Sequence, residues 1–343
     1  MPKYLLTGGA GFIGSNLVRH ILATRPEVEL VNLDALTYAG SLANLQDVLS
    51  HPRHHFVHGD ITDRALVRQW LADVDCVLHL AAESHVDRSI LDASAFIRTN
   101  VEGTQILLDA AREVRVRRFL HVSTDEVYGS LGAEGRFTES TPLAPNSPYA
   151  ASKAAAELLA RAAFHTHGLP VLITRCGNNY GPHQHPEKFI PLVISNALSG
   201  QAIPVYGTGA NVRNWIHVHD HAAGLLAVLD HGEPGMAYNL SSDDELDNLT
   251  LARKLLSIAG APESLLRFVP DRPGHDFRYS LDSSLARTRL SWSPRIALAE
   301  GLESTVAWYR DHSEWIRQVR NPEFNRYYQS QYASRLEHAA KTV

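Results

Sequence analysis

The stretch TGGAGFIGS, residues 7–15, follows a short apolar run at residues 4–6 and precedes a helical pattern at residues 16–23. Its glycines allow a tight turn, close approach of backbone N–H groups to a diphosphate, and close packing of the helix on the strand. They are Gly8, Gly11 and Gly14. Such glycines also occur in plain turns, so the run by itself is a weak signal. With a strand before it and a helix after it, the run predicts a dinucleotide-binding βαβ unit.

An acidic residue, Asp34, ends the second predicted strand, 20 residues after Gly14. A carboxylate at this place accepts hydrogen bonds from ribose hydroxyls, although it could also cap the next turn. Residues 35–38 contain no Arg or Lys that could neutralise a 2′-phosphate, which favours NAD over NADP. We expect Asp60 to meet the adenine edge. Other residues predicted to bind the cofactor here are Phe12, Ile13, Leu36, Thr37 and Ile61.

Short apolar runs alternate with helical patterns through the first half of the chain. The runs are rich in Val, Leu or Phe and bounded by Gly, Pro, Asp or Asn, as buried strands are. They cover residues 4–6, 29–33, 55–57, 76–80, 118–123 and 171–174. The helical patterns cover residues 16–23, 64–71, 93–114 and 149–167. This alternation predicts right-handed crossovers and a Rossmann-type α/β fold with a doubly wound parallel sheet.

The pattern loosens after residue 177, where prolines and glycines separate short segments. A helical stretch at residues 219–229 and a short run at 237–240 still fit the first sheet. We therefore predict an NAD-binding domain of residues 1–177 plus about 216–240. Residues 178–215 and 241–335 are predicted to form a smaller, mixed α/β substrate domain, and the cleft between the domains is the expected ligand site.

Composition and charge exclude several classes of protein. The 343 residues carry a formal net charge of −5, which argues against a nucleic-acid binder because such proteins have a basic surface. No apolar stretch approaches the roughly 18 residues of a membrane span, and no signal-peptide pattern opens the chain. We expect a cytoplasmic protein. His217, His219 and His221 lie where a strand passes into a helix, so we expect no metal site.

Two clusters of polar residues suggest catalysis. Tyr149 and Lys153, in YAASK, are four residues apart and share one face of a helix. STDEVYG places Asp125 and Glu126 directly after the fifth strand, and ligands of parallel sheets bind at such carboxyl ends. A cation about 4 Å from the phenol would lower its pKa by roughly three units. We therefore expect Lys153, together with an oxidised nicotinamide, to make Tyr149 a base.

Eight motifs occur in order along almost the whole chain: TGGAGFIGS, LTYAG, HLAAESHVDRS, STDEVYG, YAASK, NNYGP, PEKFIP and DRPGHD. Together they resemble the extended short-chain dehydrogenase/reductase family, and within it the nucleotide-sugar 4,6-dehydratases that act on dTDP-glucose. The resemblance implies that tightly bound NAD oxidises the hexose at C4, that water leaves across C5 and C6, and that the hydride returns to C6.

The resemblance also implies a role for each catalytic residue. Asp125 would protonate the departing C6 hydroxyl, Glu126 would remove the C5 proton, and Thr124 would hydrogen-bond the C4 oxygen. This division is chemically sound, because a C4 ketone acidifies the C5 hydrogen and a neutral carboxyl can assist the leaving group. Related C4 epimerases lack the acidic pair, so Asp125 is the discriminating residue. The alternative is that Asp125 only caps the end of the strand.

Further ligands follow from the resemblance alone. Additional cofactor contacts are implied for Leu80, Ala81, Ala82, Thr99, Tyr149, Lys153 and Asn179. Substrate contacts are implied for Ser84, Thr124, Asn178, Lys188, Phe189, Pro204, Tyr206, Arg213, Asn239, Arg272 and His275. The resemblance further implies a homodimer, with the helical patterns at residues 93–114 and 149–167 forming a four-helix interface.

Some positions depart from the pattern that the family leads us to expect. Phe189, Gly177, Asn214 and the polar run at residues 239–245 differ from the usual residues. We expect them near the nucleotide pocket, where they put thymine over uracil in doubt. A dehydratase for another substrate, such as a UDP-hexose, and a C4 epimerase therefore stay open as alternatives. A redox sensor that binds NAD without turnover should have lost Tyr149, Lys153 or an acid, and all of them are present.

Overall fold

The computed structural model describes residues 1–271, 274–320 and 322–329. Its strands are β1 (Lys3–Thr7), β2 (Glu29–Asp34), β3 (His54–His58), β4 (Cys76–His79), β5 (Arg118–Thr124), β6 (Val171–Cys176), β7 (Asn178–Tyr180), β8 (Ile203–Tyr206), β9 (Val212–His217), β10 (Ala237–Leu240), β11 (Glu245–Asp247) and β12 (Leu266–Val269).

Its α-helices are α1 (Phe12–Thr24), α2 (Arg64–Leu71), α3 (Val86–Leu91), α4 (Ser94–Phe96), α5 (Thr104–Val114), α6 (Pro148–His167), α7 (Phe189–Leu198), α8 (Val218–His231), α9 (Asn248–Ala259), α10 (Ser284–Leu290), α11 (Leu298–Asp311), α12 (Ser313–Val319) and α13 (Pro322–Tyr328).

Seven parallel strands form the main sheet, in the order β10-β6-β5-β4-β1-β2-β3. The chain runs outward from β1 through β2 to β3 and then crosses to β4 on the other side of β1. A crevice opens at such a reversal, at the carboxyl ends of the strands, and ligands bind there. The predicted doubly wound Rossmann-type fold is confirmed, and the ends of the predicted strands are off by no more than two residues.

Alternate residues of the main strands face two separate apolar layers. Leu6 and its neighbours pack with α1 and α8 on one face, whereas Leu5 and its neighbours pack with α2, α5 and α6 on the other. Strands buried on both faces read as continuous apolar runs, which is why they were visible in the sequence. The α8 helix begins at Val218, so the chain returns to the main sheet after residue 217.

The predicted helix at residues 93–114 is interrupted. After the short α4 helix, Ile97–Gly103 forms a π-helix that continues into α5. The side chain of Asn100 explains the change, because its amide bonds the backbone of Glu83 and the hydroxyl of Ser152. A π-turn inserts one residue into a helix and commonly marks a functional site. Here tertiary hydrogen bonds override the regular helical pattern.

The part of the chain after residue 177 is more regular than its sequence suggested. Strands β7, β9 and β11 form a small sheet, β8 pairs with β12, and α7, α9 and α11 pack around them. The α7 helix was missed because FIPLVISNAL is apolar on every side, which hides the helical period. Its proline lies in the first turn, where no backbone N–H is required. The predicted domain boundaries stay a prediction.

Candidate active site

One long cavity lies over the carboxyl ends of β1, β2, β4, β5 and β6. It encloses about 1600 Å³, part of it open to solvent. Most of the residues predicted from the sequence line it: Gly8, Gly11, Phe12, Ile13, Gly14, Asp34, Thr37, Asp60, Ile61, Leu80, Ala81, Ala82, Ser84, Thr99, Thr124, Asp125, Glu126, Tyr149, Lys153, Asn178, Asn179 and Lys188. The two clusters identified separately in the sequence therefore share one site.

The glycine-rich turn forms one end of this cavity. Gly8 adopts a φ of +78°, and a side chain there would place Cβ 2.6 Å from the backbone nitrogen of Ala81. A Cβ on Gly14 would lie 2.1 Å from the carbonyl oxygen of Gly8. The α1 helix begins at Phe12 and points its free N–H groups at the cavity. This is the cradle that a diphosphate requires, so these residues fit a dinucleotide.

Asp34 is placed for both roles that its position suggested, which are to cap the turn that follows it and to bind a ribose. One carboxylate oxygen accepts a hydrogen bond from the backbone N–H of Leu36, and the other accepts one from Ala10, both at 2.8 Å. Burial raises the pKa of Asp34, while these two bonds oppose the shift. Each oxygen keeps acceptor capacity toward the cavity, as a ribose ligand needs. Leu36 does not line the cavity, and its part in the site is the hydrogen bond that its backbone N–H donates to Asp34.

Asp125 and Glu126 follow β5 in a short 3₁₀ turn at the middle of the cavity. The carboxyl of Asp125 is 3% exposed, and one of its oxygens has no hydrogen-bond partner among the described residues. Burial, helped by the neighbouring Glu126, raises the pKa of Asp125 to about 8, although Arg213 lowers it. Asp125 is therefore largely protonated at neutral pH. A protonated carboxyl beside a second carboxylate is the arrangement that acid–base elimination requires.

Tyr149 and Lys153 project from the first two turns of α6, which Ser147 caps by accepting a bond from Ala150 N–H. The ammonium of Lys153 donates to the carbonyl oxygen of Val122 at 2.7 Å. Burial lowers the pKa of Lys153 to about 8. The phenol of Tyr149 lies beside the hydroxyl of Thr124. Phenol, acid and carboxylate therefore face one region of the cavity.

The expected lowering of the Tyr149 pKa by Lys153 together with an oxidised nicotinamide stays a prediction, because the protein groups alone act in the opposite direction. Burial, followed by the charge of Glu126, raises the pKa of the Tyr149 phenol well above its ordinary value. Lys153 cannot compensate, because its ammonium is bound to a backbone carbonyl and is itself destabilised by burial. The effect expected of a single cation about 4 Å away takes no account of desolvation, which raises the pKa of the phenol and lowers that of the ammonium.

Several predicted substrate residues lie outside the cavity wall: Phe189, Pro204, Tyr206, Arg213, Asn239 and His275. Arg272 lies outside the described residues. Tyr206 and His275 are neighbours, with ring centroids 6.1 Å apart, and Tyr206 donates to Asp87 at 3.2 Å. Arg213 donates to backbone carbonyls, including that of Asp276 at 3.0 Å. Contact of these side chains with substrate stays a prediction.

Asn239 is the clearest departure from the predicted site. It is fully buried, and its amide oxygen accepts a hydrogen bond from the hydroxyl of Tyr128 at 2.8 Å. Its amide nitrogen donates to the carbonyl oxygens of Phe137 and Asp282. Because both amide hydrogens bond backbone carbonyls of the protein, the amide of Asn239 has no further donor for a ligand. The sequence motif carried no sign of these partners.

Three of the positions that depart from the family pattern, Gly177, Asn214 and Ser241, form one buried cluster, whereas Phe189 lies at the start of α7. A Cβ on Gly177 would lie 2.4 Å from the hydroxyl oxygen of Ser241, and that hydroxyl donates to Asn214. The amide of Asn214 in turn donates to the carbonyl oxygen of Ser242 at 2.8 Å. Gly177 alone reaches the cavity. These departures therefore accommodate one another, because the serine hydroxyl occupies the space that a side chain at position 177 would need.

Besides Glu83 and Ser123, sequence reasoning missed three polar side chains of the cavity wall that share one loop, Gln184, His185 and Glu187. They lie in the loop between β7 and α7. The run HQHPEK, between the NNYGP motif and Lys188, was the available signal. Loop residues carry no periodicity, so their orientation could not be read from spacing.

In the part of the chain that the structure describes, no group of three or more His, Cys, Asp or Glu side chains is arranged to hold a metal ion. Every helix within residues 1–271, 274–320 and 322–329 is too short or too polar to span a bilayer. The cytoplasmic location stays a prediction.

Comparison with known proteins relates the whole chain to nucleotide-sugar enzymes. A family model described as GDP-mannose 4,6 dehydratase matches residues 5–305. A dTDP-glucose 4,6-dehydratase of Streptomyces niveus is 51% identical, over 94% of this chain and 96% of that protein. The structure of DesIV, a dTDP-glucose 4,6-dehydratase from Streptomyces venezuelae with NAD and dTDP bound, is 53% identical with a TM-score of 0.91, covering 92% and 99% of the two chains.

A more distant structure is also similar. The UDP-glucose 4-epimerase of Thermotoga maritima, solved with UDP-glucose, has a TM-score of 0.84 at 27% identity, covering 90% of this chain and 99% of its own. The two reaction classes thus share this fold, and only the site residues can separate them.

The raised pKa of Asp125 predicts how stability depends on pH. Between about pH 4, where the unfolded carboxyl ionises, and about pH 8, the folded state holds more protons than the unfolded state. The free energy of unfolding of the wild type should therefore fall as pH rises through this window. Asp125→Asn lacks this ionisation, so from pH 5 to pH 9 its free energy of unfolding relative to that of the wild type should rise by up to about 4 kcal/mol. Urea unfolding of both proteins between pH 5 and 9 measures the difference, and a difference independent of pH would contradict the assignment.

Proposed function

Because this chain belongs to the nucleotide-sugar 4,6-dehydratase family of extended short-chain dehydrogenases/reductases, we propose that it converts dTDP-glucose into dTDP-4-keto-6-deoxyglucose and water. It is then an NAD-dependent hydro-lyase. The observation that carries the proposal is the acidic pair after β5, in which Asp125 holds its proton while facing the same cavity as Tyr149. The relatives named for this reaction support the nucleotide and the hexose.

The cofactor fits the glycine-rich end of the cavity. Gly8, Gly11 and Gly14 with the first turn of α1 would hold the diphosphate, and Asp34 would bind the adenosine ribose. NAD, when bound, supplies the hydride acceptor for C4, the hydride donor for C6 and a positive charge beside the Tyr149 phenol. Lys153, whose ammonium donates to the carbonyl oxygen of Val122, lines the cavity one turn of helix from Tyr149 and would contact the cofactor there.

The side chains of the protein perform the proton transfers. Tyr149 takes the proton of the C4 hydroxyl, and Thr124 hydrogen-bonds the C4 oxygen. The resulting ketone acidifies the C5 hydrogen, which Glu126 removes. Asp125 gives its proton to the C6 hydroxyl, so that water leaves as the C5–C6 double bond forms. Positioned acids and bases of this kind each accelerate a step by about 10²–10⁴-fold.

The proposal is tested by incubating the protein with dTDP-glucose, and separately with UDP-glucose, in deuterated water and examining the products by NMR. We expect dTDP-4-keto-6-deoxyglucose with solvent deuterium at C5 and the original C4 hydrogen at C6. The deuterium enters at C5 because the proton taken by Glu126 exchanges with solvent. An epimerised hexose without exchange at C5 would remove the dehydratase function, and preference for UDP-glucose would move it to that nucleotide.

We further propose a homodimer formed through α3, α6 and the π-helix between α4 and α5. Four large apolar side chains are exposed on these elements: Ile90 at 39%, Leu91 at 70%, Ile97 at 53% and Leu158 at 56%. The α3 helix and the π-helix both pack on α6, and exposed apolar groups on neighbouring elements are typical of an association surface. Burying them between two copies would produce the four-helix interface expected from the family.

A charged residue in this face should separate the subunits. Leu158→Glu combined with Ile97→Glu should convert a dimer into a monomer, because two carboxylates per subunit would be buried without partners. Leu49→Glu, at an apolar residue that is 40% exposed elsewhere, is the control and should stay dimeric. Sedimentation equilibrium measures the masses. A monomeric wild type, or a dimer in the double variant, would contradict the proposed interface.

A further inference from the structure

The cavity has a second polar wall that the proposed reaction does not use. Gln184, His185 and Glu187 line the cavity from the loop between β7 and α7. Each has a buried polar atom without a hydrogen-bond partner among the described residues. Glu187 is the most costly of them, because a carboxylate loses more on desolvation than an amide or an imidazole does. A buried carboxylate oxygen without a hydrogen-bond donor indicates either a ligand that supplies the donor or a structural role for the group.

Within the described residues, no hydrogen-bond donor reaches the Oε2 atom of Glu187. Its side chain is 1% exposed. The basic side-chain nitrogens nearest to Oε2 are Nε of Arg88 at 3.8 Å and Nε2 of His85 at 3.9 Å. On the other carboxylate oxygen, Nδ1 of His185 lies at 3.8 Å. These distances exceed those of hydrogen bonds. The guanidinium of Arg88 therefore offsets part of the charge of the carboxylate without occupying its acceptor positions, whereas burial lowers the pKa of His185 to about 3 and leaves that ring uncharged at neutral pH.

Charges of both signs act on the pKa of the Glu187 carboxyl. Burial raises its pKa to about 7, Lys188 and Arg88 lower it, and Glu83 and Asp87 raise it. This behaviour agrees with the geometry, because a carboxylate that accepted several hydrogen bonds from the protein would have its pKa lowered instead.

The position of Glu187 restricts what it can bind. The next residue, Lys188, donates to the carbonyl oxygen of Ser84 at 2.9 Å, which anchors this loop to the segment after β4. In the sheet, β4 lies between β1, which carries the dinucleotide turn, and β5, which carries the acidic pair. Glu187 therefore lines the cavity next to the segment after β4, between the strands that carry the dinucleotide turn and the acidic pair. Under the proposed function, the cofactor and the substrate meet in this part of the cavity.

A carboxylate in this place selects donors and repels anions. It would oppose a diphosphate, whereas neighbouring hydroxyls of a sugar can each donate to one of its oxygens. Given the proposed function, two sugars reach the middle of the cavity: the hexose and the ribose next to the nicotinamide. We propose that Glu187 is a sugar-binding residue whose buried carboxylate accepts hydrogen bonds from a pair of adjacent hydroxyls of one of these rings.

The hexose source is tested by pairing protein and ligand changes. Equilibrium Kd values for dTDP-glucose and its 2-deoxy and 3-deoxy analogues are measured by calorimetry on NAD-loaded protein. All proteins carry Tyr149→Phe, so that the bound sugar is not consumed. We expect at least one analogue to bind about 10- to 100-fold more weakly than dTDP-glucose, the range for a hydrogen bond to a charged group. Glu187→Gln should remove most of that discrimination and leave the Kd of dTDP unchanged.

The ribose source has its own readout. If the carboxylate binds that ring, Glu187→Gln should weaken NAD binding to the cofactor-free protein by a similar factor and leave discrimination between the hexoses as it is. Glu83→Gln is the matched control, since it removes the same charge from the same wall. It should keep the discrimination of the parent protein. Thermal unfolding of each variant verifies the fold.

The inference is overturned if Glu187→Gln changes neither the hexose discrimination nor the Kd of NAD by more than about twofold, or if Glu83→Gln produces the same loss. Failure of the proposed function is a separate result, because a wild-type protein without turnover of dTDP-glucose would show it directly. In that case UDP-glucose and its deoxy analogues replace the dTDP series, and the same comparison tests Glu187.

Discussion

The proposed chemistry of this site depends on the desolvation of one carboxyl group, that of Asp125. Asp125 ends a buried strand, and burial next to Glu126 keeps it protonated at neutral pH. Glu126, one residue later, is only half-buried and can act as the base. In the proposed mechanism, two adjacent carboxyls with different environments act as an acid and a base, a principle that enzymes use widely. The same burial has a cost, since it also raises the pKa of Tyr149 and lowers that of Lys153.

A buried network beneath the site holds the catalytic helix against the sheet. Glu157, one turn beyond Lys153 on α6, pairs with Arg175 of β6, and both side chains are at most 2% exposed. Arg175 also donates to the hydroxyl of Tyr128, which donates to Asn239. Breaking a buried ion pair leaves one charge without a partner, so such networks constrain position strongly. The pair between Glu157 and Arg175 therefore holds α6, and with it Tyr149, in a fixed position on the sheet.

The fold and one half of the site could be predicted because their signals are local. Glycines required by a positive φ or a close approach, such as Gly8 and Gly14, occupy fixed offsets from a strand. Strands buried on both faces appear as apolar runs. Glu187 and Asn239 could not be placed, since their roles depend on which distant backbone or cavity they face. Likewise, the environment of Tyr149 is set by desolvation, which a spacing of four residues on a helix does not reveal.

The protonation of Asp125 can be observed directly. In cofactor-free protein labelled with ¹³C at the aspartate carboxyl carbons, the resonance that disappears in Asp125→Asn belongs to this group. We expect that resonance to titrate with a pKa of about 8, which leaves the acid ready to donate at neutral pH. A titration complete below pH 5 would contradict the account, because Asp125 would then be ionised and could not protonate a leaving hydroxyl.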